Sequence, residues 1–447
     1  MTKYPANFRS DLENFILRLL EIPSAKGEPT TDAPFGRETV ESLTVFLDEA
    51  KRLGFTKTFA GNKYGYVEWP TDFPAGTPPV AVVCHLDVVP AGDWTDAFKP
   101  IKTADRIIGR GAIDNKGPAA ISLYALFLIR EQGLKPDRPI RIILGLDEES
   151  GSQCMAAYRK NETLPYIGYT PDGSFPVIRA EKTIIHGNIN YPISSLHNDN
   201  TITLESVHGG TRPNVIPETV RYTLTELGTG HKTTSTYTVK GRTGHASIPQ
   251  SGLSALGLAV EEIYGKLTAK NQSHPFIDFY RRHIGMITDG SGLGIACSDL
   301  STGPLTMNIG TIDLDMNRAV LGLDIRCPVT VDSKELLATL EKNLVAEGAY
   351  LSNVTVSPGI DYDPSDPLIQ TLADVFSSWY GKSLEALSIG GGTYARALPN
   401  IVAFGPNMPG TGSVAHISGE YITLEHIYAC IDIYKDAIAR LAKLVRD

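Results

Sequence analysis

Cysteine is scarce: five residues in 447, at 84, 154, 297, 327 and 430, with no CxxC pair among them. That spacing excludes a thiolate zinc ribbon, and the odd number leaves one thiol over in any disulfide scheme, so reduced, mostly buried thiols are expected. Long apolar runs are missing too. The longest, Ala119 to Ile129, holds Ser122 and Tyr124 and falls short of the roughly 20 residues of a spanning helix, so no membrane span is expected. Positive charge is in deficit, 41 Lys+Arg against 50 Asp+Glu for a net charge of −9, which argues against nucleic acid or an anionic membrane as partner. The opening MTKYPANFRSDLENF lacks the charged-then-apolar pattern of a secretory signal, so a cytoplasmic protein is expected. HExxH and GxSxG are absent, and DGSGLGIA carries Ile295 where a dinucleotide loop needs its third glycine. Cys84 sits inside an apolar run, where burial disfavours a nucleophilic thiolate.

What is present follows βαβ grammar. Phe8, Leu12, Phe15, Ile16, Leu19 and Leu20 recur at helical spacing. The runs Val80 to Cys84 and Ile140 to Leu146 read as buried strands around the apolar helix 119–129, implying an α/β domain with a mostly parallel sheet. Near residue 180 the texture changes. Thr201 to Ser206, Val220 to Thr225 and Thr234 to Val239 are rich in β-branched residues, and helical stretches follow at Leu253 to Lys266 and Ser333 to Ala346, as in an α+β insert. Beyond Asp361 a helix (Leu368 to Trp379), a GGGT turn, a buried strand (Ile401 to Gly405) and a last helix (Leu424 to Leu444) restore the α/β texture.

Polar clusters stand where these strands end. His85-Leu86-Asp87 follows VAVVC, Asp147-Glu148-Glu149 follows IRIILGL, and Pro171-Asp172-Gly173 follows YIGYT; ligands of open α/β sheets gather at such strand ends. GRGAIDNKGP sets Asp114 in a glycine-bracketed turn ahead of the apolar helix, and His416 lies in the turn-rich GTGSVAHISGE. Any one of these acids could simply cap a helix. Their convergence fits a metal hydrolase better: H-x-D spacing lets an aspartate hydrogen-bond a metal-bound imidazole, and adjacent glutamates can divide the roles of base and ligand.

In that order, CHLDVVPAGDW, GRGAIDNKGP, LDEESGS, TPDG and AHISGE resemble the motifs of the co-catalytic di-zinc peptidases, a family that includes carboxypeptidase G, aminoacylase, succinyl-diaminopimelate desuccinylase, the carnosinases and bacterial dipeptidase V. The resemblance implies a catalytic domain in two parts, 1–180 and 383–447, interrupted by an inserted lid domain at 181–382. It implies two divalent metals, zinc by default with manganese or cobalt as alternatives. Asp114 would bridge them, His85 and Asp172 would complete one site, and Glu149 and His416 the other. Asp87 would orient His85, and Glu148 would be the general base. In the insert, His245 in KGRTGHAS resembles a donor to the developing oxyanion, and Asn214 in GGTRPNVIP a neighbour of the same oxygen. Arg326 in GLDIRCP resembles an arginine that holds a substrate carboxylate, with Gly391, Gly392 and Thr393 lining the same end of the pocket. Asn115 departs from relatives that carry a second Asp there, with a change in local hydrogen bonding expected. The insert's length resembles most closely that of bacterial dipeptidase V, an Xaa-His dipeptidase type, which implies a monomer, with a homodimer as the alternative. The implied function is a dipeptidase acting on small unblocked peptides. An N-acyl-amino-acid deacylase or desuccinylase with the same metals is the alternative, and a metal- or peptide-binding protein without catalysis a third.

Overall fold

A computed structural model describes residues 4–193, 201–228 and 231–445. The chain divides into two compact units, one of residues 1–179, 362–387 and 393–447, the other of 180–361 and 388–392.

The first unit is α/β. Its sheet runs in the order Lys57–Ala60, Tyr64–Trp69, Ile140–Gly145, Val80–His85, Ile167–Thr170, Ile401–Ala403, with Ile178 of the strand Ile178–Glu181 beside Ala403. The ladders from Ile140–Gly145 through Ile401–Ala403 are parallel, and the flanking ones antiparallel. Every residue of Val80–His85 and Ile140–Gly145 is buried. A strand covered on both faces has no solvent side to reward a polar residue, so its sequence reads as an unbroken apolar run. The helix Lys116–Glu131 is buried on nearly all sides and packs against Val80–His85 and the helices Phe8–Leu20 and Leu424–Leu441. Full burial of each of its Leu and Ile side chains contributes about 1.5–3 kcal/mol.

The second unit is a seven-stranded, wholly antiparallel sheet in the order Lys232–Lys240, Thr219–Leu227, Ile202–Gly210, Thr306–Leu314, Arg318–Cys327, Thr183–Pro192, Tyr350–Ser357. The helices Ala255–Thr268, Pro275–His283 and Ser333–Ala346 share its core, where Leu256, Val260, Phe276 and Leu340 meet Ile189, Leu204, Tyr222 and Leu323. On Arg318–Cys327 the residues Ala319, Leu321, Leu323, Ile325 and Cys327 enter that core. Strict alternation therefore sends Asp324 and Arg326 to the other face.

The insert ends earlier than 382. The helix Pro367–Tyr380 belongs to the first unit: it packs on Leu424–Leu441, and Phe376 stacks on Phe175 with ring centroids 4.7 Å apart. Among the described residues no helix is long and apolar enough to cross a membrane.

The turn into Lys116–Glu131 depends on a missing side chain. A Cβ at Gly117 would lie 2.0 Å from the carbonyl oxygen of Ala112. Gly117→Ala is expected to lower stability by about 3 kcal/mol, because backbone rather than a flexible side chain blocks the added carbon. Urea unfolding monitored by circular dichroism measures this, and an unshifted midpoint would contradict it.

Candidate metal centre

Three neighbouring parallel strands end on one side of the first sheet and deliver most of the centre. His85 closes Val80–His85, Glu148 and Glu149 follow Ile140–Gly145, and Asp172 follows Ile167–Thr170. Asp114 enters from the loop before Lys116–Glu131, and His416 from the loop after Ile401–Ala403, the next parallel strand.

Asp114 turns one carboxylate oxygen to each imidazole. His85 Nε2 stands 2.9 Å from Oδ1 and His416 Nε2 stands 2.9 Å from Oδ2. His416 Nε2 also lies 3.0 Å from Glu149 Oε1, and His85 Nε2 lies 4.0 Å from Asp172 Oδ2. Donor atoms of His85, Glu148 and Asp172 fall within 4.8 Å of one another, as do those of His85, Asp114 and Glu149. His416 is held at φ 64°, a left-handed conformation that costs a residue with a Cβ roughly 1–2 kcal/mol. All five expected ligands and Glu148 thus lie together. Nitrogen and oxygen donors without thiolate suit zinc, manganese or cobalt, so the donor set fits a pair of divalent cations.

Backbone bonds hold these side chains. Asp87 faces His85 and does more besides. Its main-chain carbonyl stands 3.0 Å from His85 Nδ1, while its carboxylate, 3.5 Å from that nitrogen, accepts the backbone N–H groups of Glu148 (3.1 Å) and Glu149 (3.0 Å). One buried aspartate thus fixes both the imidazole and the glutamate pair. Asn115 Nδ2 donates to Pro171 O at 2.6 Å, and its Oδ1 accepts from His85 N at 3.4 Å. An ionised Asp there has no donor for Pro171. Lys116, wholly buried, donates to Leu19 O (2.8 Å) and Ile22 O (2.7 Å), which ties the Asp114 loop to the end of Phe8–Leu20.

The protonation pattern is that of a crowded anionic site. Burial, then the charge of Asp114, pushes Asp172 up to about 7. Burial, then Asp172, holds Glu148 well above the usual carboxylate range, and burial with Asp114 raises Glu149. Burial opposes charge on His416, but Asp114 and Glu149 overcome it and push that imidazole up to about 11. His85 is raised likewise: burial opposes it, and Asp114 and Asp87 prevail. Burial pushes the Cys84 thiol up to about 12, as its place in a covered strand requires.

The second unit gathers its own polar cluster. Asp324, fully buried, accepts from Arg326 Nε (2.7 Å) and Nη2 (2.8 Å), and His186 Nε2 stands 2.8 Å from its Oδ2. Arg326 Nη1 donates to Gly390 O at 3.0 Å. A Cβ at Gly390 would come within 2.9 Å of Ser247 Cβ, so this first glycine of the triplet is the one packing demands. Ser247 N donates to His245 Nδ1 at 3.2 Å, and Ala246 N donates to Asn214 O at 3.0 Å. Because a backbone N–H can only donate, Nδ1 keeps its lone pair and the neutral His245 ring carries its proton on Nε2. Asn214, His245, Arg326, Gly391 and Gly392 therefore share the second unit. Thr393 belongs to the first, where its hydroxyl oxygen accepts Ala395 N–H at 3.1 Å and caps a short turn. Asp324 and His186 had no signal in the sequence beyond the strand alternation that places Asp324 beside Arg326, whereas Gly390 opens the GGGT turn.

Comparison with known proteins gives a consistent result. Residues 81–440 match the profile of peptidase family M20/M25/M40. A Bacillus subtilis relative, YtjP, whose name carries a provisional dipeptidase assignment, is 33% identical over 97% of this chain and 98% of its own. Among solved structures, the di-peptidase Dug1p from Saccharomyces cerevisiae aligns with a TM-score of 0.60 at 11% identity, covering 98% of this chain and 99% of its own. The aminoacylhistidine dipeptidase from Vibrio alginolyticus aligns at 0.59 and 14%, covering 98% and 97%.

Two outcomes follow from this geometry. Cations entering the centre must expel the protons held by the imidazoles and Asp172, so apparent metal affinity should strengthen as pH rises through about 7. Calorimetric titration in buffers of different ionisation enthalpy reads the released protons; identical heats would rule this out. Asp87→Ala strands two buried N–H groups at about 1–3 kcal/mol each and frees the glutamate pair, so both thermal stability and metal affinity should fall.

Proposed function

The chain belongs to peptidase family M20/M25/M40, and on that footing we propose that it is a metal-dependent dipeptidase that hydrolyses short peptides with a free amino terminus and a free carboxyl terminus. The observation that carries this reading is Asp114, with one oxygen toward each of two imidazoles and Glu148 in the same small volume. His85, Asp172 and Asp114 would hold one cation, and Asp114, Glu149 and His416 the second, with zinc as the proposed metal. Two such ions, when bound, polarise the scissile carbonyl and lower the pKa of the attacking water.

The chain's own residues supply the proton traffic. Glu148 takes a proton from the attacking water and passes it to the leaving amine, a role suited to a buried carboxyl whose proton affinity is raised. Asp87 keeps that carboxyl on station through the backbone of residues 148 and 149. His245, with its proton on Nε2, is the proposed donor to the carbonyl oxygen as charge develops there, with Asn214 beside the same oxygen. Arg326 is the proposed partner of the peptide's carboxylate. Its pairing with Asp324 leaves the couple nearly neutral, so recognition would rest on directed N–H groups more than on net charge. Gly391, Gly392 and Thr393 would line that end. Free thiols at all five cysteines fit a reducing cytoplasm, and the long insert in one chain fits a working monomer.

The test is a matched panel of free dipeptides beside N-acetylated and N-succinylated amino acids, run after metal removal and separate reloading with zinc or manganese. Cleavage confined to free dipeptides is expected. Cleavage confined to the acylated set would make the enzyme a deacylase instead. In the same assay Glu148→Gln should lower kcat by about 10²–10⁴-fold with KM little changed. Full activity in that variant would remove Glu148 as the base.

A further inference from the structure

Two of the proposed metal-donor loops are held by one residue that is itself no ligand. The strand 106–108 pairs antiparallel with 421–423. The chain leaving the first therefore starts at the same end where the chain entering the second arrives. The departing loop carries Asp114 and the arriving one carries His416.

Glu420 stands at that junction, fully buried. Its Oε1 accepts three backbone N–H groups of the departing loop, from Gly111 (3.0 Å), Ile113 (3.0 Å) and Asp114 (3.2 Å). Its Oε2 accepts from Arg110 Nη1 at 2.7 Å, and its main-chain oxygen accepts from Gly109 N at 2.9 Å. Arg110, 2% exposed, is seated in turn: its backbone N–H donates to Ala97 O, and its guanidinium lies 5.4 Å from the Trp94 ring centroid. The six-residue loop Gly109 to Asp114, with Gly109, Gly111 and Ala112 among its positions, would otherwise have few bonds of its own to fix it. One carboxylate supplies them, and the same residue is four positions from His416.

Removing that carboxylate would leave three buried N–H groups and a guanidinium unpaired, so the arrangement survives only as a whole. Asp114 and His416 meet across this junction at 2.9 Å. Whatever sets the junction sets their separation.

We propose that Glu420 is a positioning residue that presets the separation of Asp114 and His416 before any cation arrives, and thereby governs affinity for the cation those two residues share. This rests on the ligand assignment above. It adds that Glu420 acts unequally: the junction it fastens carries two ligands, Asp114 and His416, of the cation shared with Glu149, but only the bridging Asp114 of the cation completed by His85 and Asp172, so the first depends on it more.

The experiment compares wild-type, Glu420→Gln and Glu420→Asp proteins by zinc titration with a competing chelator, cobalt absorption spectra and dipeptide kinetics. Wild type should bind two ions per chain. Each variant, folded by circular dichroism, should bind the first ion within about threefold of wild type and the second at least tenfold more weakly, the range outer partners of metal ligands command. kcat should fall with KM nearly constant, and raised metal concentration should restore it. Equal loss at both sites, or wild-type affinity at both with the fold intact, would overturn the proposal. Failure of wild type to bind two ions would instead overturn the ligand assignment. Should the variants not fold, hydrogen exchange on metal-free wild type decides: slow exchange at the amides of 111, 113 and 114 supports a preset loop, and exchange at open-loop rates refutes it.

Discussion

Too much negative charge in too little space is the condition the first unit is built around. Asp114, Glu148, Glu149 and Asp172 crowd one volume together with the imidazoles of His85 and His416. A pair of like charges 4 Å apart repels by about 4 kcal/mol at the effective dielectric of a protein surface. Several such pairs would rival the roughly 5–15 kcal/mol by which a folded domain is stable. The cluster is therefore tolerable only with counter-charge, supplied by protons on the acids and imidazoles in one state and by cations in another. The raised proton affinities of Glu148, Glu149, Asp172, His85 and His416 express the first state.

The scaffold answers this pressure with backbone rather than with extra side-chain cations. Asp87 accepts two main-chain N–H groups, Glu420 accepts three, Asn115 donates to a carbonyl and Lys116 to two. Main-chain partners hold geometry through directed bonds whose direction the fold already fixes. Where the second unit uses an arginine, it is already matched by Asp324. The same economy of net charge thus governs both units, though each solves it with different residues.

How much of this was legible in the sequence follows the same division. His85, Glu148, Glu149 and Asp172 could be read because covered parallel strands give unbroken apolar runs, and the polar residues that end such runs stand out. Ser333–Ala346 and the antiparallel strands of the second unit were legible from helical spacing and from β-branched composition. The return to α/β texture beyond Asp361 was legible too, whereas the bound at 382 implied by the resemblance was not, since an amphipathic helix such as Pro367–Tyr380 carries the same pattern whichever core it covers. The braces were invisible for another reason. Glu420 makes its bonds to residues some 310 positions away, and a glutamate after a Ser-Gly pair looks like any solvated turn residue. Lys116 reads as a surface charge until its two carbonyl partners are placed around it. Asp87 stands against His85 as H-x-D spacing suggests, but its bonds to the glutamate pair were not legible, because that spacing says nothing of a backbone that lies 61 residues further on.

The division of the chain has a consequence in time. His85, Asp114, Glu149 and Asp172 all precede the second unit, whereas His416 and Glu420 follow it, so 243 residues must be synthesised between Asp172 and His416. During that interval the nascent chain carries the crowded acids without the imidazole that completes one site or the glutamate that fastens the Asp114 loop. The centre proposed for the first unit is therefore incomplete until the chain has passed through the second unit and returned to the first.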